Sequence, residues 1–107
     1  MKNKRSDKVH SFRIQLKDRI LHIEFVDEKG SINIDNIDSF SYLVDDKIKF
    51  GVDKIKIDCT NLYYIDTSGL GKLVAYTSNI ELIMTNVNSK VKKILDMTNL
   101  SSFFTIR

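Results

Sequence analysis

Apolar and polar residues alternate with period two in three stretches of the chain. Phe12, Ile14 and Leu16 alternate with Arg13 and Gln15. From Ile20 to Val26, Leu21, Ile23 and Phe25 share one side, and Lys54-Ile55-Lys56-Ile57-Asp58-Cys59 alternates charged with apolar residues. That period predicts strands with one buried face. Lys17-Asp18-Arg19 reads as a turn, so the first two strands form a hairpin. Glu81 to Met84, preceded by Ile80, is a short apolar run consistent with an interior strand, and Phe103 to Ile106 predicts a last one.

Between these stretches the spacing changes to three and four residues, the mark of helices covering a sheet. Ile37, Phe40, Val44 and Ile48 form one stripe, widened by Leu43. Asp35 or Asn36 can cap it, Asp38 and the pair Lys47 and Lys49 suit its dipole, and Gly51 ends it. Leu70, Leu73 and Val74 form a second stripe. Val91, Ile94 and Leu95 form a third, with Asn88 or Ser89 as its cap and Asn99 suited to a left-handed C-cap. Helices between parallel strands predict an α/β domain built from crossover units.

The stretch that draws these elements together runs from Asp58 through Asp66-Thr67-Ser68-Gly69-Leu70-Gly71, a strand passing through a polar corner into the second helix. Asp66 is the natural N-cap. Thr67, Ser68 and Gly69 then lie in the first turn, where free backbone N–H groups and the helix dipole favour an anion. Ser68, Gly71 or Lys72, and Ala75 follow at one-turn intervals, a bare face that lets another protein approach the backbone. The same residues also fit a plainer role, with Gly69 and Gly71 serving helix-to-sheet packing and Ser68 an ordinary first-turn hydroxyl.

On three segments the chain resembles the STAS domains of bacterial anti-sigma factor antagonists. These are Ile57-Asp58, Tyr64-Ile65-Asp66-Thr67-Ser68-Gly69-Leu70-Gly71, and Val91-Lys92-Lys93-Ile94-Leu95-Asp96-Met97-Thr98-Asn99-Leu100. The resemblance implies a single STAS-like domain over residues 12–107, with a mixed β-sheet of about five strands and helices on one side. It implies phosphorylation of the second hydroxyl of the corner, which is Ser68, with Thr67 as the other candidate. The kinase would be the anti-sigma factor itself, bound to ATP or ADP, and a metal-dependent Ser/Thr phosphatase would reset the switch. Asn33 stands where the family carries an acid after a Gly-x-Leu pattern, here Gly30-Ser31-Ile32. The implied partner face comprises Asn33, Asp66, Thr67, Gly69, Gly71, Lys72 and Ala75. Against many members of the family, the helix after Ser68 is expected to be short, with a strand beginning near Ile80, and no terminal helix is expected before Arg107.

Composition narrows the classes further. The 107 residues, 42% apolar and 29% charged, are those of one globular domain. No run is long enough to span a bilayer and no secretory leader is read at the N-terminus, so a cytoplasmic protein is expected, a monomer or weak dimer. The net charge of +3 is that of the first ten residues, where Lys2, Lys4, Arg5 and Lys8 outnumber Asp7. Residues 1–11 are expected to be a flexible basic tail, and a neutral body argues against direct nucleic-acid binding. Cys59 alone makes no internal disulfide and reads as a small core residue. His22 has no second His at ligand spacing and His10 lies in the tail, so neither a metal site nor a base for Ser68 is expected.

These readings leave a switch, a module and an enzyme. In the first, unmodified protein captures the anti-sigma kinase and frees a sigma factor, and phosphate on Ser68 ends the binding. Burying a dianion at such an interface weakens it by about 4 kcal/mol, roughly a thousandfold. In the second, the domain is an interaction module of a larger signalling or transport assembly with no phosphorylation cycle. The third has neither catalytic residues nor a cofactor motif to support it.

Overall fold

The computed structural model describes residues 11–107. The basic segment read as a tail lies outside them apart from Ser11, whose carbonyl accepts from the Val26 N–H at 2.8 Å. Strand β1 (Phe12–Lys17) pairs antiparallel with β2 (Ile20–Phe25). Asp18 and Arg19 turn between them with φ of 53° and 64°. Two left-handed residues match the twist of the flanking strands, so the hairpin closes in its shortest form. The Arg19 guanidinium makes two hydrogen bonds of 2.9 Å to the Asp53 carboxylate, fastening the turn to the segment that precedes Lys54.

The remaining strands of the main sheet are β4 (Lys54–Asp58), β6 (Glu81–Thr85) and β7 (Thr105–Ile106). The order is β1-β2-β4-β6-β7, parallel from β2 onward. Register aligns Leu21 with Ile55 and Leu82, and Ile23 with Ile57 and Met84. All six are buried, in one core with residues from every helix. The other face of β1, β2 and β4 carries Arg13, Gln15, Lys17, His22, Glu24, Lys56 and Asp58, which line an open groove. The expected α/β architecture, a five-stranded mixed sheet with helices against one side, is what the chain adopts.

Helix α1 (Ile37–Ile48) buries Phe40 and Val44, and the Phe40 ring meets Phe12 edge-on at 5.3 Å. Helix α2 (Thr67–Tyr76) buries Leu70 and Leu73, and α3 (Ser89–Thr98) buries Val91 and Leu95. Each such Leu contributes about 1.5–3 kcal/mol relative to exposure. Asn88 caps α3 by accepting from Lys90 and Val91, and Asn99 closes it at φ 58°.

Three elements differ from the expectation. The stretch from Asp58 to Asp66 is not one strand: β4 stops at Asp58, and Leu62–Ile65 forms a separate β5. Its partner is β3 (Gly30–Ile32), in a parallel two-stranded sheet of its own. The last strand is only Thr105–Ile106, because Ser101–Phe103 winds into a 3-10 turn. Finally, Asn36 is the N-cap of α1 but its side chain caps nothing there. Asn33 instead closes the turn that leads into α1, its Oδ1 accepting from Asp35 N and Asn36 N at 2.8 and 3.3 Å.

Candidate functional site

The second sheet sets the position of the corner. Ile32 pairs with Ile65, and the Asp66 N–H donates to the Ile32 carbonyl at 3.1 Å, so the chain leaves β5 held against β3. Asp66 is extended, φ −90° and ψ −176°, while its carbonyl already accepts from Leu70 N at 2.9 Å, which is the geometry of an N-cap. Its Oδ1 accepts from Gly69 N at 2.9 Å and its Oδ2 from Ile34 N at 2.9 Å. The Gly69 N–H, joined by those of Ile34 and Ser68, holds the Asp66 carboxyl below the usual range against an opposing effect of desolvation. One carboxylate therefore ties the start of α2 to the loop after β3.

Ser68 follows as the second residue of the helix. Its side chain is half-buried, and its Oγ has no hydrogen-bond partner among the described residues. No buried side-chain oxygen in the described residues lacks a partner, so this one lies where water reaches it. Thr67 beside it is exposed. One turn further, Gly71 and Ala75 are exposed and Lys72 is half-buried. The Lys72 ammonium stands 5.6 Å from the centre of the Tyr76 ring, and the Tyr76 hydroxyl donates to Asp45 of α1 at 3.0 Å.

Two residues read into the partner face are engaged within the fold. Gly69 is buried, and a Cβ there would meet the Ile32 carbonyl oxygen at 2.6 Å and the Ile65 Cγ2 at 3.0 Å. It lets the helix start sit on β3 and β5, whereas a Cβ on Gly71 meets nothing within 4 Å. Asn33 spends its amide inside its own loop, its Nδ2 donating to Ser31 Oγ at 2.6 Å while its Oδ1 accepts from Asp35 N. Gly69 thus packs the helix start, and the Asn33 side chain shapes its own loop.

Sequence reasoning passed over Ile34 and Tyr64, which flank the corner with 66% and 53% exposure. The signal for Ile34 was present, an apolar residue standing alone between Asn33 and Asp35. His22 lies on the open face of the sheet, the side away from the helices, and so is not beside Ser68. Burial pushes the Cys59 thiol up to about 12, with the Asp58 charge adding to it, which leaves it unreactive. Among the described residues no group of three or more His, Cys, Asp or Glu is arranged to hold a metal ion. No helix there is long and apolar enough to cross a membrane.

The STAS domain family model matches residues 12–107. The chain belongs to the STAS domain family. A comparison with curated proteins finds no match. Among solved structures, a Thermotoga maritima protein assigned as an anti-sigma factor antagonist is 26% identical with a TM-score of 0.72, over 92% of this chain and 86% of its own. An anti-sigma factor antagonist from Mycobacterium paratuberculosis is 12% identical, with a TM-score of 0.73 over 89% and 82%. The Bacillus cell fate determinant SpoIIAA, in its phosphorylated form, is 14% identical, with a TM-score of 0.65 over 90% of each chain. At the two lower identities the likeness is one of fold.

Proposed function

We propose that this STAS domain is an anti-sigma factor antagonist working by partner switching, with Ser68 as the switch. The observation that carries the reading is the half-buried Ser68, whose Oγ has no hydrogen-bond partner among the described residues, at the N-terminus of an anchored helix. The assignment of the Thermotoga maritima relative supports the class of partner. Unmodified protein docks Thr67, Ser68, Gly71, Lys72 and Ala75 against an anti-sigma factor that is also a serine kinase, bound to ATP or ADP, and a sigma factor is freed. The kinase then transfers the γ-phosphoryl group of ATP to Ser68 Oγ: the new O–P bond replaces the O–H, the proton leaves and ADP departs. A Ser/Thr phosphatase hydrolyses that ester.

The fold tolerates the phosphate because the positive end of the helix dipole lies beside it, while the Asp66 carboxylate, which already holds the Gly69 N–H, opposes it only in part. The partner does not, since a surface shaped for a neutral hydroxyl must desolvate a dianion. The protein itself is a binding protein with no catalytic residue, acting in the cytoplasm as a monomer or weak dimer.

Incubation with ATP and the cognate anti-sigma kinase, read by intact mass, tests the cycle. The mass of one phosphate should appear on the wild type and not on Ser68→Ala, whereas gain on Ser68→Ala but not Thr67→Ala would move the site to Thr67. No gain with an active kinase favours a second reading, an interaction module without a cycle. Asn33 favours that alternative, because the amide that stands for the family's acid is turned into its own loop.

A further inference from the structure

We infer that Lys72 is a built-in counter-charge for phosphorylated Ser68, moving from the face of Tyr76 to the phosphate when the serine is modified. The inference deepens the proposed function and rests on Ser68 as the modified residue. Lys72 is the only basic residue of α2 and lies four residues after Ser68. Residues at that spacing are neighbours on the helix surface, and an anion placed before a cation is the favourable order. Helical side chains also lean toward the N-terminus, so the ammonium can reach back over the first turn. Gly71 is exposed and carries no side chain to obstruct it.

The resting position of Lys72 is a weak one. Its ammonium has no carboxylate within 4.0 Å among the described residues and instead sits over Tyr76. A cation–π contact between two half-buried side chains is weak beside an ion pair, and a neighbouring phosphate with close to two charges competes readily. Tyr76 is by contrast fixed, its hydroxyl bonded to Asp45. Modification of Ser68 therefore strips the cation from the Tyr76 ring and draws it across the docking face, so the partner meets both a new charge and a rearranged surface.

The test needs neither kinase nor partner. Phosphoserine is installed at position 68 by genetic code expansion, and the Lys72 side-chain resonances are followed by NMR in the full chain. In unmodified protein the Lys72 methylene protons should be displaced upfield by the ring current of Tyr76, and Tyr76→Leu should remove that displacement. In the phosphoserine form they should move downfield toward the Tyr76→Leu values. The Tyr76 ring protons should shift on modification in the wild type and shift less in Lys72→Gln. Lys72 resonances that coincide in the two forms would overturn the inference. Failure of the kinase to modify Ser68 would instead sink the switch itself and leave this result standing.

Discussion

Asp66 and Ile34 are 32 residues apart in sequence, and the Ile34 backbone N–H donates to the Asp66 Oδ2 at 2.9 Å. The other oxygen of the same carboxylate caps α2 through Gly69. One side chain thereby joins the loop that carries Ile34 to the helix that carries Ser68.

The Asp66 carboxylate should make stability depend on acid pH. Its folded pKa lies below the unfolded value, so its contribution is fully present above the unfolded value of about 4 and is lost as pH falls through the folded one. Thermal melts of wild type and Asp66→Ala from pH 2 to 7 should show the variant less stable at neutral pH. The gap should close below about pH 4. A gap that stays constant would mean that the carboxylate charge contributes nothing.

Gly69 and Gly71 should respond in opposite ways to alanine. At Gly69 the new methyl is driven into the Ile32 carbonyl, and Gly69→Ala should cost about 1–3 kcal/mol in denaturant unfolding. At Gly71 the methyl enters open space in a helix, and Gly71→Ala should raise stability by about 0.8–1 kcal/mol. The same Gly71→Ala should weaken partner docking, because it fills the bare face beside Ser68.

Cys59 should behave as a core residue. With its thiol pushed up to about 12 and its side chain buried, alkylation in the native state at pH 8 should be slower than that of a free thiol. The difference should be on the order of a thousandfold or more from the thiolate fraction alone. Denaturant should restore ordinary labelling, which is read by mass.

Much of the fold was legible where one face of an element meets water. In β1, β2 and β4 the charged residues of the open face interrupt the apolar ones, which makes the period visible. The short sheet was not. β3 is three residues long, and in Leu62-Tyr63-Tyr64-Ile65 the buried positions stand at the two ends, so neither segment displays a period. The start of α2 at Asp66 was legible because an Asp before two hydroxyl residues and a glycine at the head of an apolar stripe is a local signal of a capped helix. Gly69 and Gly71 were placed together because they share a motif. Two residues along a helix turn through about 200°, which sends one glycine inward and the other to solvent. The inward turn of Asn33 depends on Ser31 and on the start of α1 together, a tertiary arrangement that composition does not announce.

The affinity of the anti-sigma kinase for two forms of this chain, one with serine and one with phosphoserine at position 68, bears most directly on the switch. Titration calorimetry should give tight binding to the serine form and binding roughly a thousandfold weaker to the phosphoserine form, with equal melting temperatures within a few degrees. Equal affinities for two equally folded forms would contradict it.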